Sequence, residues 1–369
     1  MFNIVLNIAG SLMHLYVAAR LYRIDAIRSR IRPRGWALGA LLLWLVYLGG
    51  VHLGDEALDW RWWPGQFAMT WLGILFLMSS CLLLADLATG FGFWWRPHKR
   101  KLTAGAALAG ILVSAFAIYQ GVRTPLVVEH EVVLRGLPPA LDGTVLVALS
   151  DIHLGAQRRA DWMEKVVARI NEVNPAAVLL LGDQVESDPP SDPHLAGVLR
   201  AIRAPRGVWA VTGNHEYYGN AAATIAEFSD GGVHWLRDQR VELLPGLTLA
   251  GIDDIGSRLR SGGTVLSGLE RLYPAPAQGA TILMAHIPAA PVIERAAARG
   301  IGLMLSGHTH GGQIWPFNYL VAQRFPYVDG AHSAGDLQVI VTRGAGGWGP
   351  RMRLWKPGEM LKLTLRAPR

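Results

Sequence analysis

At 369 residues the chain is long enough for two domains, yet 51% hydrophobic and only 17% charged residues, with a mean hydropathy of +0.25, exclude an ordinary soluble protein. The net charge of +7 does not indicate a nucleic-acid binder: residues 1–122 carry 11 Lys and Arg against 5 Asp and Glu, whereas residues 123–369 are nearly balanced at 24 against 23. A nucleic-acid surface would place the basic excess on the folded domain, so no nucleic-acid partner is expected. The single cysteine, Cys81, excludes an intrachain disulfide.

Four apolar runs occupy the first third, approximately Phe2–Ala19, Trp36–Leu53, Phe67–Leu87 and Leu102–Gly121. Each approaches the roughly 20 residues a helix needs to cross a bilayer, which predicts a four-helix transmembrane domain over residues 1–122. The first run has no basic residue before it and no clear small-residue cleavage site, unlike a signal peptide. Arg20, Arg23, Arg28, Arg30, Arg32 and Arg34 follow the first run, and Arg96, Lys99, Arg100 and Lys101 follow the third. The second loop instead holds Asp55, Glu56 and Asp59 against Arg61. Short basic loops stay cytoplasmic, so the expectation is a multi-pass protein of a bacterial inner membrane with everything after Gly121 outside the cytoplasm. Trp60, Trp62, Trp63, Trp94 and Trp95 sit at run ends, where indoles favour the bilayer interface. Asn3, Asn7, His14 and Asp86 are few and near run ends, which favours local hydrogen bonding over a transport path.

From residue 123 the pattern changes to apolar strand, polar loop, helix. Val127–Val133 reads as a first strand, and Thr144–Leu149, Ala176–Leu181, Gly207–Val211, Leu247–Ala250, Thr281–Met284 and Ile301–Leu305 read as buried ones. Helices are predicted from an Asp161 N-cap to Val173, over His194–Arg203, around Ala221–Phe228 and over Pro291–Arg299. The alternation predicts an α/β domain over residues 123–369 with largely parallel pairing, in which ligands gather beyond the carboxyl ends of strands.

Those loops carry Asp151-Ile152-His153, Gly182-Asp183, Gly213-Asn214-His215-Glu216, His286 alone, and Gly307-His308-Thr309-His310-Gly311-Gly312-Gln313. A pair of loop histidines or one Asp-x-His is weak evidence for a metal. Five such motifs in this order are specific, and the chain resembles the calcineurin-like metallophosphoesterase family over roughly residues 140–345. The Gly-His-Thr-His-Gly-Gly-Gln form behind membrane runs is similar to the family's membrane-anchored subgroup, with UDP-2,3-diacylglucosamine hydrolases as distant relatives.

The resemblance implies two packed β-sheets flanked by helices and two divalent metal ions. Asp151, His153 and His310 would hold the first, Asn214, His286 and His308 the second, and Asp183 would bridge both. An anionic bridge suits two cations roughly 3.5–4 Å apart, which repel. The nitrogen and oxygen donors suit Mn, Fe or Zn without choosing among them. A metal-activated hydroxide would then attack phosphorus, and His215 would face the substrate as general acid, with a supporting hydrogen bond as its competing role. Gln184 and Glu186 depart from the Val and Asp common in relatives, and neither is expected to bind metal. Asp253 and Asp254 could support the metal ligands from behind, but a turn or helix cap is the plainer reading. Arg343 could bring a cation to a substrate phosphate, and Arg351 and Arg353 could do likewise or face anionic lipid headgroups; for all three the plainer reading is solvation. His194, His234 and His332 fall outside the motifs, and Trp348 and Trp355 could touch lipid or pack the domain.

The expected function is a membrane-anchored phosphohydrolase acting on a phosphoester or pyrophosphate, with a lipid-linked substrate suggested by four anchoring helices. A non-catalytic metal-binding scaffold and a cytoplasm-facing pyrophosphatase of the UDP-diacylglucosamine type stay open as alternatives.

Overall fold

The computed structural model describes residues 2–53, 62–155, 158–187 and 194–368. Asp55, Glu56, Asp59, Trp60 and Arg61 lie outside the described residues, as do the side chains of Asn3, Trp62, Trp63 and Arg96. The chain forms two compact units, Met1–Val122 with Gly349–Leu354, and Arg123–Trp348 with Trp355–Arg369.

The first unit contains α1 (Phe2–Leu21), the single turn α2 (Asp25–Arg28), α3 (Pro33–Leu53), α4 (Trp62–Ala88) and α5 (Lys99–Val122). The stretches Ile4–Leu21, Pro33–His52, Pro64–Ala88 and Lys99–Val122 are each long and apolar enough to cross a membrane. Ile8, Leu12 and Leu15 on α1 and Leu38, Leu42 and Leu45 on α3 face outward, a surface that water penalises and hydrocarbon does not. Small residues let the helices approach. A Cβ on Gly50 would collide with the Pro64 carbonyl oxygen, and one on Gly110 would stand 2.7 Å from the Met78 sulfur. The polar residues of the runs bond across helices: Asn7 Nδ2 lies 3.0 Å from His52 Nε2 and His14 Nε2 2.9 Å from Ala40 O. Asp86 accepts from Tyr16 Oη at 2.5 Å and pairs with Arg20 at 2.6 Å. Arg353, expected in solvent, is buried in this unit, and its backbone N–H donates to Ala117 O at 2.8 Å.

The second unit is a sandwich of two six-stranded sheets. The strands in chain order are β1 (Leu126–Val133), β2 (Val145–Leu149), β3 (Ala177–Leu180), β4 (Val208–Ala210), β5 (Val233–Trp235), β6 (Gln239–Leu244), β7 (Leu247–Gly251), β8 (Ala280–Met284), β9 (Leu303–Ser306), β10 (Gly330–Ala334), β11 (Leu337–Val341) and β12 (Glu359–Arg366). One sheet runs β1-β12-β2-β3-β4-β5 and the other β10-β11-β9-β8-β7-β6. Pairing from β2 to β5 is parallel, as it is across β7, β8, β9 and β11.

Period-two alternation builds the layers. Leu146, Ala148 and Leu179 point inward and meet Leu249, Ile282 and Leu305 of the opposite sheet. Val147, Leu149, Val178 and Leu180 point outward to α6 (Ala160–Val173), α7 (Leu195–Arg200) and α8 (Ala221–Asp230), whose Met163, Val166, Leu199 and Phe228 cover them. On the other side α9 (Ile255–Arg260), α10 (Ser267–Leu272) and α11 (Ala290–Ala298) bury Leu269, Val292 and Ile293 on Leu283 and Met304. A short helix, α12 (Phe317–Val321), follows the histidine-rich loop. Parallel strands buried on both faces explain the continuous apolar runs. One local expectation is corrected: Arg159, not Asp161, occupies the N-cap position of α6. Asp161 falls in the first turn, where the helix dipole favours a carboxylate without a capping bond.

Candidate metal centre

Each motif loop leaves the carboxyl end of a parallel strand, so the fold gathers them at one edge of the sandwich: Asp151 and His153 after β2, Asp183 after β3, Asn214 and His215 after β4, His286 after β8, and His308 and His310 after β9. The backbone there is strained. Asp151, His153, Asp183, His308 and His310 all have φ between 51° and 70°, the left-handed region that side chains with a Cβ resist. Strain of this kind persists only where surrounding bonds over-determine it, and it clusters at functional sites. Gly182, at φ 100°, has no room for a Cβ: one would lie 2.5 Å from His286 Nδ1.

The motif side chains form two groups about one carboxylate, and His153 and His215 form a third with Glu186. Ligand atoms of Asp151, His153 and His310 lie within 4.8 Å of one another, and so do those of Asp183, His286 and His308. Asp183 faces both groups: its Oδ2 is 3.1 Å from His286 Nε2 and 3.9 Å from His153 Nε2. Its Oδ1 accepts the His215 backbone N–H at 2.9 Å. Asp151 Oδ1 is 3.3 Å from His310 Nε2, and both Asp151 oxygens accept the His308 N–H at 3.1 Å. His286 Nδ1 lies 2.8 Å from Leu181 O, which leaves Nε2 turned toward Asp183. Asn214 Nδ2 donates to Tyr218 Oη at 2.8 Å, while its Oδ1 is buried and has no hydrogen-bond partner among the described residues.

Electrostatics favours added cations. Asp151 and Asp183 are fully buried side by side. Burial opposes the His286 imidazolium, but Asp183 and Asp151 outweigh it and raise its pKa to about 10. His308, by contrast, is pushed down to about 3 by burial and by His286 beside it. Burial raises Asp151, and the neighbouring Asp183 adds to the rise. A buried pair of carboxylates ringed by imidazoles, with a fixed amide oxygen left over, fits hard or borderline divalent cations. The donor set therefore agrees with the group the sequence motifs imply.

Two carboxylates gain structural roles that were not assigned from the sequence. Glu186 Oε2 is 2.9 Å from His153 Nδ1, and its carbonyl oxygen is 2.6 Å from His215 Nδ1. Glu216 is fully buried and accepts the backbone N–H groups of Gly213 at 2.6 Å, Gln184 at 2.7 Å, Asp183 at 3.1 Å and Val185 at 3.3 Å. It thereby braces two motif loops against each other; burial, then Asp183, raise its pKa to about 7. A glutamate ending a short loop that opens with glycine after an apolar strand was the available signal. Arg343 joins neither group. Its guanidinium lies 2.8 Å from Glu359 Oε2, and its Nε donates to Pro357 O at 2.9 Å.

Asp254 caps α9, accepting the Ser257 N–H at 2.6 Å. Asp253 accepts from Thr212 Oγ1, from Tyr217 Oη at 2.7 Å and from Arg237 at 2.8 Å, which fixes the strand end before Asn214. Burial opposes its charge, yet bonds from Arg237, Thr212 and Tyr217 hold the carboxyl below its usual range. The unfolded chain therefore binds this proton more tightly. The stabilisation is complete above the unfolded value of about 3.9 and is lost as pH falls through the folded one. Asp253→Asn is expected to cost about 1–3 kcal/mol at neutral pH. The deficit relative to the parent should shrink in acid, as read from unfolding midpoints of both proteins across pH.

Residues 144–312 match the calcineurin-like phosphoesterase family. The chain is 31% identical over 271 residues to a "Transmembrane protein with metallophosphoesterase domain" of Danio rerio, covering 70% of this chain and 62% of that protein. It thus spans less than two thirds of that relative's length. It is 29% identical over 324 residues to an uncharacterized metallophosphoesterase of Campylobacter jejuni, covering 80% and 82% of the two chains. An uncharacterized metallophosphoesterase of Aquifex aeolicus is 30% identical over 240 residues, covering 64% of this chain and 90% of its own length. With the motif loops gathered at one sheet edge around two buried aspartates, these matches establish that the chain belongs to the calcineurin-like metallophosphoesterase family, as a metal-dependent phosphoesterase domain joined to four membrane-length apolar helices.

Proposed function

We propose that the chain is a membrane-anchored phosphohydrolase that cleaves a lipid-linked phosphoester or pyrophosphate outside the cytoplasm, using two divalent cations, with Mn, Fe and Zn all compatible. Asp151, His153 and His310 would hold one cation, Asn214, His286 and His308 the other, and Asp183 would bridge them. The observation that carries this reading is the position of Asp183, whose Oδ2 faces His286 at 3.1 Å and His153 at 3.9 Å. When bound, such a metal pair activates water and stabilises charge on the phosphoryl oxygens.

The chain's own residues supply the rest. Glu186 fixes the His153 ring through Nδ1 and so aims Nε2 into the site. His215 is held by Nδ1 on Glu186 O, with the rings of Tyr218 at 4.5 Å and Trp348 at 6.5 Å from it. That leaves Nε2 to meet the leaving oxygen. Burial lowers the pKa of His215, which makes its protonated form a readier donor. Basic loops between the predicted spans support the extracytoplasmic placement. Arg343 is committed to Glu359, so any substrate contact through it would have to share that pair.

Purified full-length protein given Mn is expected to hydrolyse aryl phosphodiesters, and a panel of lipid phosphates, lipid pyrophosphates and nucleotide-lipids would then rank substrates. Folded, metal-loaded protein with no turnover on any of them would favour a scaffold instead. Protease added to cells with the outer barrier opened should cut the phosphoesterase domain; protection would move it to the cytoplasm. Glu186→Gln is expected to weaken metal binding at the Asp151, His153 and His310 site by about 10–100-fold while sparing the other site. Titration followed by calorimetry reads the two affinities separately, and equal weakening of both would contradict the assignment.

A further inference from the structure

The loop that carries His308 and His310 continues through Ile314 into α12, a helix with no buried residue. Trp315, Phe317, Tyr319 and Leu320 expose 45%, 42%, 61% and 59% of their surfaces. Single exposed apolar residues are ordinary, but a contiguous set marks a binding surface. Trp348, 41% exposed, is tied to the same loop: its backbone N–H donates to Gln313 Oε1 at 3.0 Å and its carbonyl accepts from Gln313 Nε2 at 2.8 Å. The Trp348 ring lies 6.5 Å from His215.

This ridge is mounted rigidly on the site. The Phe325 ring stands edge-on to His308 at 5.3 Å, Thr309 Oγ1 donates to Val328 O at 2.5 Å, and the Gly312 backbone abuts Asn318 with no room for a Cβ. Anything that seats on the ridge is therefore placed beside the candidate metal ligands.

The chemistry of the ridge identifies what it meets. Tryptophan and tyrosine, which make up most of it, prefer the bilayer interface. No acidic residue occurs between His308 and Val328, while Arg324 is exposed. Such a surface complements anionic headgroups. Trp348 is followed directly by Gly349–Leu354, which belong to the unit that carries the membrane-length helices.

We infer that residues 315–320 and Trp348 form a membrane-docking lip. It seats in the headgroup layer of a bilayer and presents lipid phosphates to the site. This deepens the lipid-linked reading proposed above and rests on it for substrate, not for docking.

The test uses the full chain in nanodiscs of phosphatidylcholine and phosphatidylglycerol. In a Cys81→Ala background, an environment-sensitive fluorophore is placed at Leu320→Cys and, as a reference on α6, at Lys165→Cys. The expected result is blue-shifted emission at position 320 and quenching by nitroxide-bearing lipids at least about threefold stronger than at 165, with iodide showing the reverse order. Equal lipid quenching at the two positions would overturn the lip. Shielding of position 320 from both quenchers would also overturn it, in favour of a protein partner. In parallel, Tyr319→Ser with Leu320→Ser should lower turnover of a vesicle-embedded lipid phosphate about tenfold and leave a soluble aryl phosphodiester unchanged. If the parent chain hydrolyses neither substrate, the proposed function fails while the quenching result still decides the docking.

Discussion

Asp183→Asn is expected to empty the site of metal and to remove turnover with it. Two divalent cations held roughly 3.5–4 Å apart repel about four times as strongly as unit charges, for which the figure is about 4 kcal/mol at 4 Å and an effective dielectric of 20. A carboxylate facing both groups offsets much of this, and Asp183 is placed to do so. Asparagine keeps the shape and can still accept the His215 backbone N–H, so the loop should stay folded. It lacks the negative charge. Losing about 4 kcal/mol of binding or transition-state stabilisation corresponds to roughly a thousandfold fall in rate. Metal analysis after dialysis against dilute chelator, beside an aryl phosphodiester assay, reads both effects. Full metal content in the variant would remove the bridging role.

His215→Ala should separate chemistry from metal binding. The contact between residue 215 and Asp183 is made by the backbone N–H, which alanine retains. Metal content should therefore match the parent, while turnover falls by about 10²–10⁴. The loss should be largest for alkyl esters, whose leaving oxygen needs a proton, and smallest for nitrophenyl esters, whose leaving oxygen does not. A supporting role alone would produce a uniform loss across leaving groups, or a drop in metal affinity.

The grouping of the candidate site was legible in the sequence because its motifs are local. Each candidate ligand sits within a few residues of an apolar run, and β2, β3, β8 and β9 are buried on both faces, so their sequences are continuously apolar. Most of the strands absent from the sequence reading lack that signature, although Leu337–Val341, buried and apolar except at Gln338, carries it. Val233–Trp235 is only three residues long and His234 on it is exposed. Gln239–Leu244 is an edge strand with charged residues along it, and Glu359–Arg366 alternates buried and half-buried positions. The parallel pairing of β1 with β12 joins opposite ends of the domain and has no local trace. The same limit hid the second layer of the site. Glu186 reaches His153 because both lie on loops whose left-handed residues turn the side chains toward each other, and Glu216 bonds a loop some thirty positions away. Arg353 reads as a solvated cation by composition, and only tertiary packing buries it.

The most direct measurement is anomalous scattering from crystals of the full chain grown with Mn. The account predicts two peaks roughly 3.5–4 Å apart, with an Asp183 oxygen between them and the imidazoles of His286 and His153 on opposite sides. One peak alone, or two that Asp183 does not touch, would contradict it.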